Sequence, residues 1–230
     1  METEADVSQP KSTLVLEPDA VQLLSEYHVP YPEHGLARSV DEAVQLADGL
    51  GYPVVLKVVS PDVVHKSDAG GVVTGVKDVD SVRDAYKEIV DAVGEAVPGA
   101  CINGLLVCKQ APGGLEVIVG GLDDATFGPT VMFGLGGIST EVHKDVAFRI
   151  VPLERTDAED MIQEVEAYPS LTGGRGQPSC DLNAAADLLL SVSRLLLDHR
   201  EITELDLNPV RLYDKGLLVL DARIMASDVG

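Results

Sequence analysis

Apolar and polar positions along this chain follow two periods, one helical and one of two residues, with glycine and proline at the changes between them. Ala20, Leu23, Leu24 and Tyr27 share one helical face, and Pro18 in the first turn places a helix start near Leu16. Val29-Pro30-Tyr31-Pro32 reads as extended chain. Ser39-Val40-Asp41-Glu42 fits a capping box, and the helix it opens ends at Gly51. Residues 53–59 form an apolar, β-branched run, predicted as a strand; a polar loop follows, and 72–76 returns to strand. A long amphipathic helix is expected from about Ser81 to Val97, stopped by Pro98-Gly99. Further strands are expected at 105–110, 115–120, 130–133 and 146–151. Thr156-Asp157-Ala158-Glu159 reads as a second capping box, for a helix to about Ala167. Residues 169–179 read as a turn-rich linker, and Asp181 to His199 as a helix. Ile202–Leu207 and Leu217–Asp221 make a hairpin around Asp214-Lys215-Gly216. Strands this clustered do not alternate regularly with helices. They predict an α+β fold in two lobes, a helix-strand half to about residue 100 and a strand-rich half after it. Residues 1–13 are polar and expected to be disordered, so the folded domain is expected over 14–226.

Composition narrows the class. Of 230 residues, 45% are hydrophobic but only 4% aromatic, with no Trp, so aliphatic side chains must form the core. No apolar run is long enough to span a membrane, and METEADVSQPKST has neither a basic start nor an apolar leader core, so a soluble, cytoplasmic protein is expected. Cys101, Cys108 and Cys180 form no C-x-x-C pair, which argues against a disulfide framework and a zinc site. Charge changes the picture most. There are 38 acidic and 17 basic residues, a net −21, and such a surface repels nucleic acid and anionic membranes. The acid is spread through segments such as 80–95 and 154–166, as on a halophile-type surface. In molar salt, where the Debye length is about 3 Å, that self-repulsion is screened.

Four places carry candidate chemistry. Lys57 interrupts the apolar run 53–59; it either faces water from an edge strand or reaches into a cleft toward an anion. The loop His65-Lys66-Ser67-Asp68-Ala69-Gly70-Gly71 holds a histidine able to carry a phosphoryl group and glycines that allow close backbone approach, although an exposed loop histidine is commonly just solvated. It has no Walker spacing, and Gly134-Leu135-Gly136-Gly137 has no dinucleotide-fold spacing. Gln110 to Glu116 forms a Pro-Gly turn, either a plain hairpin or an edge whose backbone meets an adenine, with Glu116 placed to accept from a ribose. In Glu204-Leu205-Asp206-Leu207-Asn208-Pro209, the period of two puts Glu204, Asp206 and Asn208 on one face. With Asp221 opposite Asn208, these oxygens suit Mg²⁺, or else form the solvated face of an acidic protein.

The stretches PVVLKVVSPDVVHKSDAGGV, FGPTVMFGLGGISTEVHKDVAFRIVPL and ITELDLNPVRLYDKGLLVLDARI, taken together, resemble the β subunits of ADP-forming acetate–CoA ligases. These are ATP-grasp proteins related to the β subunit of succinyl-CoA synthetase, and the resemblance runs from about Leu16 to Ala226. It implies an ATP-grasp fold with a nucleotide cleft between the lobes, ATP or ADP and Mg²⁺ as cofactors, and the reaction acyl-CoA + ADP + phosphate ⇌ acid + ATP + CoA. Residue by residue, it implies that Lys57 contacts nucleotide phosphates and that His65 relays the phosphoryl group with Asp206 as its carboxylate partner. It also implies Gln110 and Ala111 at the adenine, Glu116 at the ribose, and Asn208 and Asp221 at Mg²⁺. Gly134–Gly137 and Arg149 match family stretches, with no role implied beyond closeness to the cleft. The CoA-binding and active-site histidine domains of the family lie on an α subunit, so an α₂β₂ assembly is expected. A ligase for another acid, such as succinate, and a regulatory ATP-grasp module of a protein acetyltransferase are the alternatives.

Overall fold

The computed structural model describes residues 12–136, 145–173 and 179–227. Two antiparallel sheets form two lobes. The smaller contains β2 (His34–Ala37), β3 (Val54–Val59), β4 (Val72–Val76) and β5 (Gly104–Lys109) in the order β2-β5-β3-β4. Helices α2 (Val40–Leu50) and α3 (Val79–Ala96) cover one face, where Ala47, Val82, Ile89 and Val93 meet Leu56, Val58 and Leu105. Burying each such side chain contributes about 1.5–3 kcal/mol, so these apolar stripes fix which faces meet. Ser39 caps α2 by accepting from the Glu42 amide, while the Glu42 carboxylate turns back to the Arg38 amide. Asp78 and Ser81 form a reciprocal capping box, so α3 starts at Val79, ahead of the expected Ser81.

The larger sheet contains β1 (Ser12–Val15), β6 (Leu115–Asp124), β7 (Gly128–Leu135), β8 (Val146–Ile150), β9 (Ile202–Leu212), β10 (Leu217–Val219) and β11 (Ala222–Ser227). Its order is β1-β11-β9-β6-β7-β8, with β10 also on β9. Helices α4 (Arg155–Glu164) and α6 (Leu182–Asp198) cover one face, and α1 (Glu17–Glu26) and α5 (Tyr168–Leu171) complete this lobe. Met161, Ile162, Leu189 and Val192 pack there with Val119, Val131, Phe133 and Leu205. The chain passes from β5 in one sheet to β6 in the other through residues 110–114.

Several expected boundaries shift. Gly120-Gly121 does not end β6; the strand continues to Asp124, and a Cβ on Gly121 would come within 2.8 Å of Leu196 on α6. Glycine here serves sheet–helix approach, not a turn. The cap of α4 is Glu154, with Asp157 reciprocating, rather than Thr156. Ser12 and Thr13, within the stretch expected to be disordered, pair with Ser227 and Ala226 in β1; residues 1–11 lie outside the described residues. The C-terminal hairpin does not stop at Asp221. Opposite the β6 side of β9, β10 pairs with residues 210–212 and β11 with 202–207, so one edge is shared by two strands. The chain breaks between them at Leu220-Asp221. Among the described residues no helix is long and apolar enough to cross a membrane, and Cys101, Cys108 and Cys180 are free thiols.

Candidate functional site

The site is built around that break. Leaving the ladder at Leu220 frees a carbonyl and turns Asp221 toward the smaller lobe, where Lys57 Nζ donates to Leu220 O and lies 3.2 Å from Asp221 Oδ1. The same ammonium donates to Glu17 Oε1 at 2.7 Å and to the Tyr31 hydroxyl at 2.8 Å. Lys57 is 6% exposed on β3, which runs between β5 and β4, so the edge-strand reading is excluded. The loop from Ser60 to Gly71 brings Lys66, whose Nζ is 2.9 and 3.1 Å from the two Asp221 oxygens and 3.2 Å from Glu17 Oε2. The loop closes on β3, with Val58 N donating to Gly71 O and Gly71 N to Lys66 O, each at 2.7 Å. A Cβ on Gly71 would lie 2.5 Å from Val58 Cγ1, so only glycine allows that closure.

Two ammoniums and two carboxylates therefore bracket one another, as buried charges require. Burial pushes the Glu17 carboxyl above its ordinary range, against the pull of Lys57. Burial acts on Asp221 in the same direction, but Lys57 and Lys66 outweigh it and hold that carboxyl well below the usual carboxylate range. Burial lowers Lys57, yet Glu17 and Asp221 prevail and its pKa stands well above the ordinary lysine value.

A cleft of about 320 Å³ opens beside this cluster, with Lys57, Gln110, Ala111, Asn208, Arg211 and Asp221 in its walls. Asn208 is exposed, and its backbone N–H donates to the Asp221 carbonyl at 3.2 Å across the break, so the two residues stand side by side in the cleft wall. A cage of three or more His, Cys, Asp or Glu side chains is absent among the described residues. One carboxylate and one amide suit a hard divalent cation that takes its remaining ligands from phosphate and water.

Leu205 and Leu207 are 1% and 0% exposed while Glu204 and Asp206 are only half-buried, which gives the face predicted from the alternation. Burial raises the Asp206 carboxyl, Arg223 opposes this, and the charge of His65 also acts to lower it. The two residues are thus in one another's field, with His65 exposed on its loop and without a hydrogen bond between them. Gln110 Oε1 accepts from Gly75 N at 2.7 Å. Glu116 is opposite Arg211 in the β6–β9 ladder and ion-paired with it. A Cβ on Gly136 would lie 3.0 Å from the Glu116 carbonyl carbon, so Gly136 runs against the strand carrying that carboxylate; Gly137 lies outside the described residues. Arg149 does not approach the cleft. It sits on β8 at the sheet's edge and forks onto Glu164 of α4, with Nη1 2.9 Å from Oε2 and Nη2 2.5 Å from Oε1.

A family model for the ATP-grasp domain matches residues 6–225. The β subunit of acetate–CoA ligase (ADP-forming) I of Pyrococcus furiosus is 43% identical over 211 residues, covering 92% of this chain and 91% of that one. The chain belongs to this ATP-grasp ligase β-subunit family. Acetate–CoA ligase (ADP-forming) I of Archaeoglobus fulgidus is 49% identical over 210 residues, which are 91% of this chain but only 30% of that longer protein. The dinucleotide-forming acetyl-coenzyme A synthetase 1 of Ca. Korarchaeum cryptofilum, solved with coenzyme A and Ca-AMPCP, superposes with a TM-score of 0.91 at 49% identity over 93% of both chains. The fold is the ATP-grasp fold in its two-lobed α+β form.

Within this family frame, four residues of the site escape a local reading of the sequence: Glu17, Tyr31, Lys66 and Arg211. Glu17 reads as an ordinary first-turn acid of α1, where the helix dipole favours it, yet it is 4% exposed and its partner is 40 positions away. Lys66 stands next to His65, and the only available signal was a second cation in a loop already suspected of holding an anion.

Proposed function

We propose that this chain is the nucleotide-binding β subunit of an ADP-forming acyl-CoA synthetase that converts acyl-CoA, ADP and phosphate to the free acid, ATP and CoA. The observation that carries this is the convergence of Lys57, Asn208 and Asp221 on one cleft, with the loop bearing exposed His65 tied to the same carboxylate through Lys66. Lys57 and Lys66 are the cations for nucleotide phosphates, exchanging their present partners Asp221 and Glu17 for phosphate oxygens. Gln110 and Ala111 take the adenine and Glu116 the ribose. Asp221 and Asn208 hold Mg²⁺, which when bound supplies charge neutralisation at the phosphates. His65 carries the phosphoryl group. Its imidazole nitrogen attacks phosphorus as the P–N bond to a partner histidine breaks, and it is then displaced by the terminal phosphate oxygen of ADP. Asp206 orients the ring through the other nitrogen.

The acid, the coenzyme A site and the first phosphohistidine belong to an α-type partner in an α₂β₂ assembly, and the acidic surface suits a salt-rich cytoplasm. Acetate is the substrate favoured by the relatives' names, since they are acetate–CoA ligases. The test is to co-purify the chain with its α-type partner and assay acetate- and CoA-dependent ADP release from ATP across a panel of acids. His65→Asn is expected to abolish turnover while ATP binding survives. Normal turnover in that variant rules out the relay, and activity with succinate but not acetate reassigns the ligase.

A further inference from the structure

Residues 110–114, which join the lobes, are held by two side chains at the end of β9. Arg211 Nη1 donates to Pro112 O at 3.0 Å and to Ala111 O at 3.4 Å, and the Tyr213 hydroxyl donates to Pro112 O at 3.3 Å. Arg211 Nη2 donates to Glu116 Oε1, so one guanidinium spans the connection and the carboxylate beyond it. The fit is close: a Cβ on Gly114 would lie 2.8 Å from Arg211 Cγ and 2.6 Å from Leu212 O. The Arg211 side chain is 21% exposed, its Nε is buried without a hydrogen-bond partner, and it lines the cleft with Gln110 and Ala111.

We infer that Arg211 is the positioning and specificity-determining residue at the base end of the cleft. The inference rests on the nucleotide-binding reading above and adds what sets the choice of base. A carbonyl oxygen has two lone pairs. At Pro112 Arg211 and the Tyr213 hydroxyl take both, which pins the turn, whereas at Ala111 Arg211 takes one and fixes the direction of the other. A carbonyl so directed accepts from the exocyclic amino group of adenine; guanine presents an oxygen there, and two acceptors repel. The same guanidinium holds Oε1 of Glu116 and leaves Oε2 for a ribose hydroxyl. Lysine cannot substitute, because an ammonium is a point charge without the planar fork that reaches two carbonyls and a carboxylate together.

The test uses the assembled enzyme. KM and kcat are measured for ADP, GDP and 2′-deoxy-ADP with wild type, Arg211→Lys and Tyr213→Phe. Wild type is expected to prefer ADP. Arg211→Lys should raise KM for ADP about tenfold, which is one charge-assisted hydrogen bond, and reduce the preference over GDP by a similar factor. Its kcat at saturating ADP should fall by less than about twofold, since no group at the reacting phosphate is touched. Tyr213→Phe, which keeps every charge, should shift KM the same way by less. Equal loss of kcat for all three nucleotides, an unchanged preference, or a wild type with no preference overturns the inference. A wild type that binds no nucleotide overturns the proposed function first, and this inference with it.

Discussion

Lys66 Nζ lies 2.9 Å from Asp221 Oδ1, joining the histidine loop to a strand break 155 positions further along the chain. This contact makes the loop part of the larger lobe's charge cluster while its backbone stays anchored to β3 by the Gly71 bonds. Removing Lys66 should loosen the loop without unfolding either lobe. In Lys66→Met the amides of residues 66–70 are expected to exchange with deuterium about tenfold faster, with exchange in β3 and β5 unchanged. Unaltered loop exchange means that the backbone closure holds the loop alone.

The Lys57–Glu17 pair is buried, with side chains 7% and 1% exposed, so its two members should not contribute independently. Lys57→Met leaves two carboxylates, Glu17 and Asp221, to share the Lys66 ammonium alone and is expected to cost about 3 kcal/mol of stability. Lys57→Met combined with Glu17→Leu should cost less than Lys57→Met alone, because no uncompensated charge remains. Urea unfolding of the three proteins measures this, and a double variant weaker than the single one contradicts it.

Acid stability gives a signed test. A carboxyl whose folded pKa lies below its unfolded value adds stability above the unfolded value and loses it as pH falls through the folded one. Asp221 is such a group, held down by Lys57 and Lys66. The stability difference between wild type and Asp221→Asn should be level above about pH 4 and shrink progressively below it. Glu17 shifts upward, in part through the Asp221 charge, so the comparison is repeated in a Glu17→Gln background, where Asp221 alone of the two titrates. A difference that stays level in acid removes the two lysines as the cause.

With a net charge of −21, melting temperature should climb steeply as KCl rises toward molar concentrations, where repulsion between surface carboxylates is screened. A melting temperature insensitive to salt rules out the halophile-type surface and leaves an ordinary acidic protein.

The elements that could be read locally are those whose evidence is local. Ala43 and Ala47 mark the buried face of α2, Ser39 and Gly51 its ends, and the alternation Glu204-Leu205-Asp206-Leu207-Asn208 the two faces of β9. In each, burial is periodic within one segment, so the pattern exists before any partner does. β1 and β2, four residues each, carry too few residues for a period to show, and Gly120 reads as a strand end because the reason for Gly120-Gly121, the approach of Leu196 to Gly121, lies in another element. Sequence thus determined the α+β class, the order of most helices and strands, and the candidates Lys57, His65, Gln110, Ala111, Glu116, Asp206, Asn208 and Asp221. Tertiary structure alone decided which charges meet. Glu17 finds Lys57, Lys66 finds Asp221, Arg211 finds Glu116 and Arg149 turns away to Glu164. A side chain's partner depends on strand register and on where a strand breaks, and both are settled by contacts far apart in the chain.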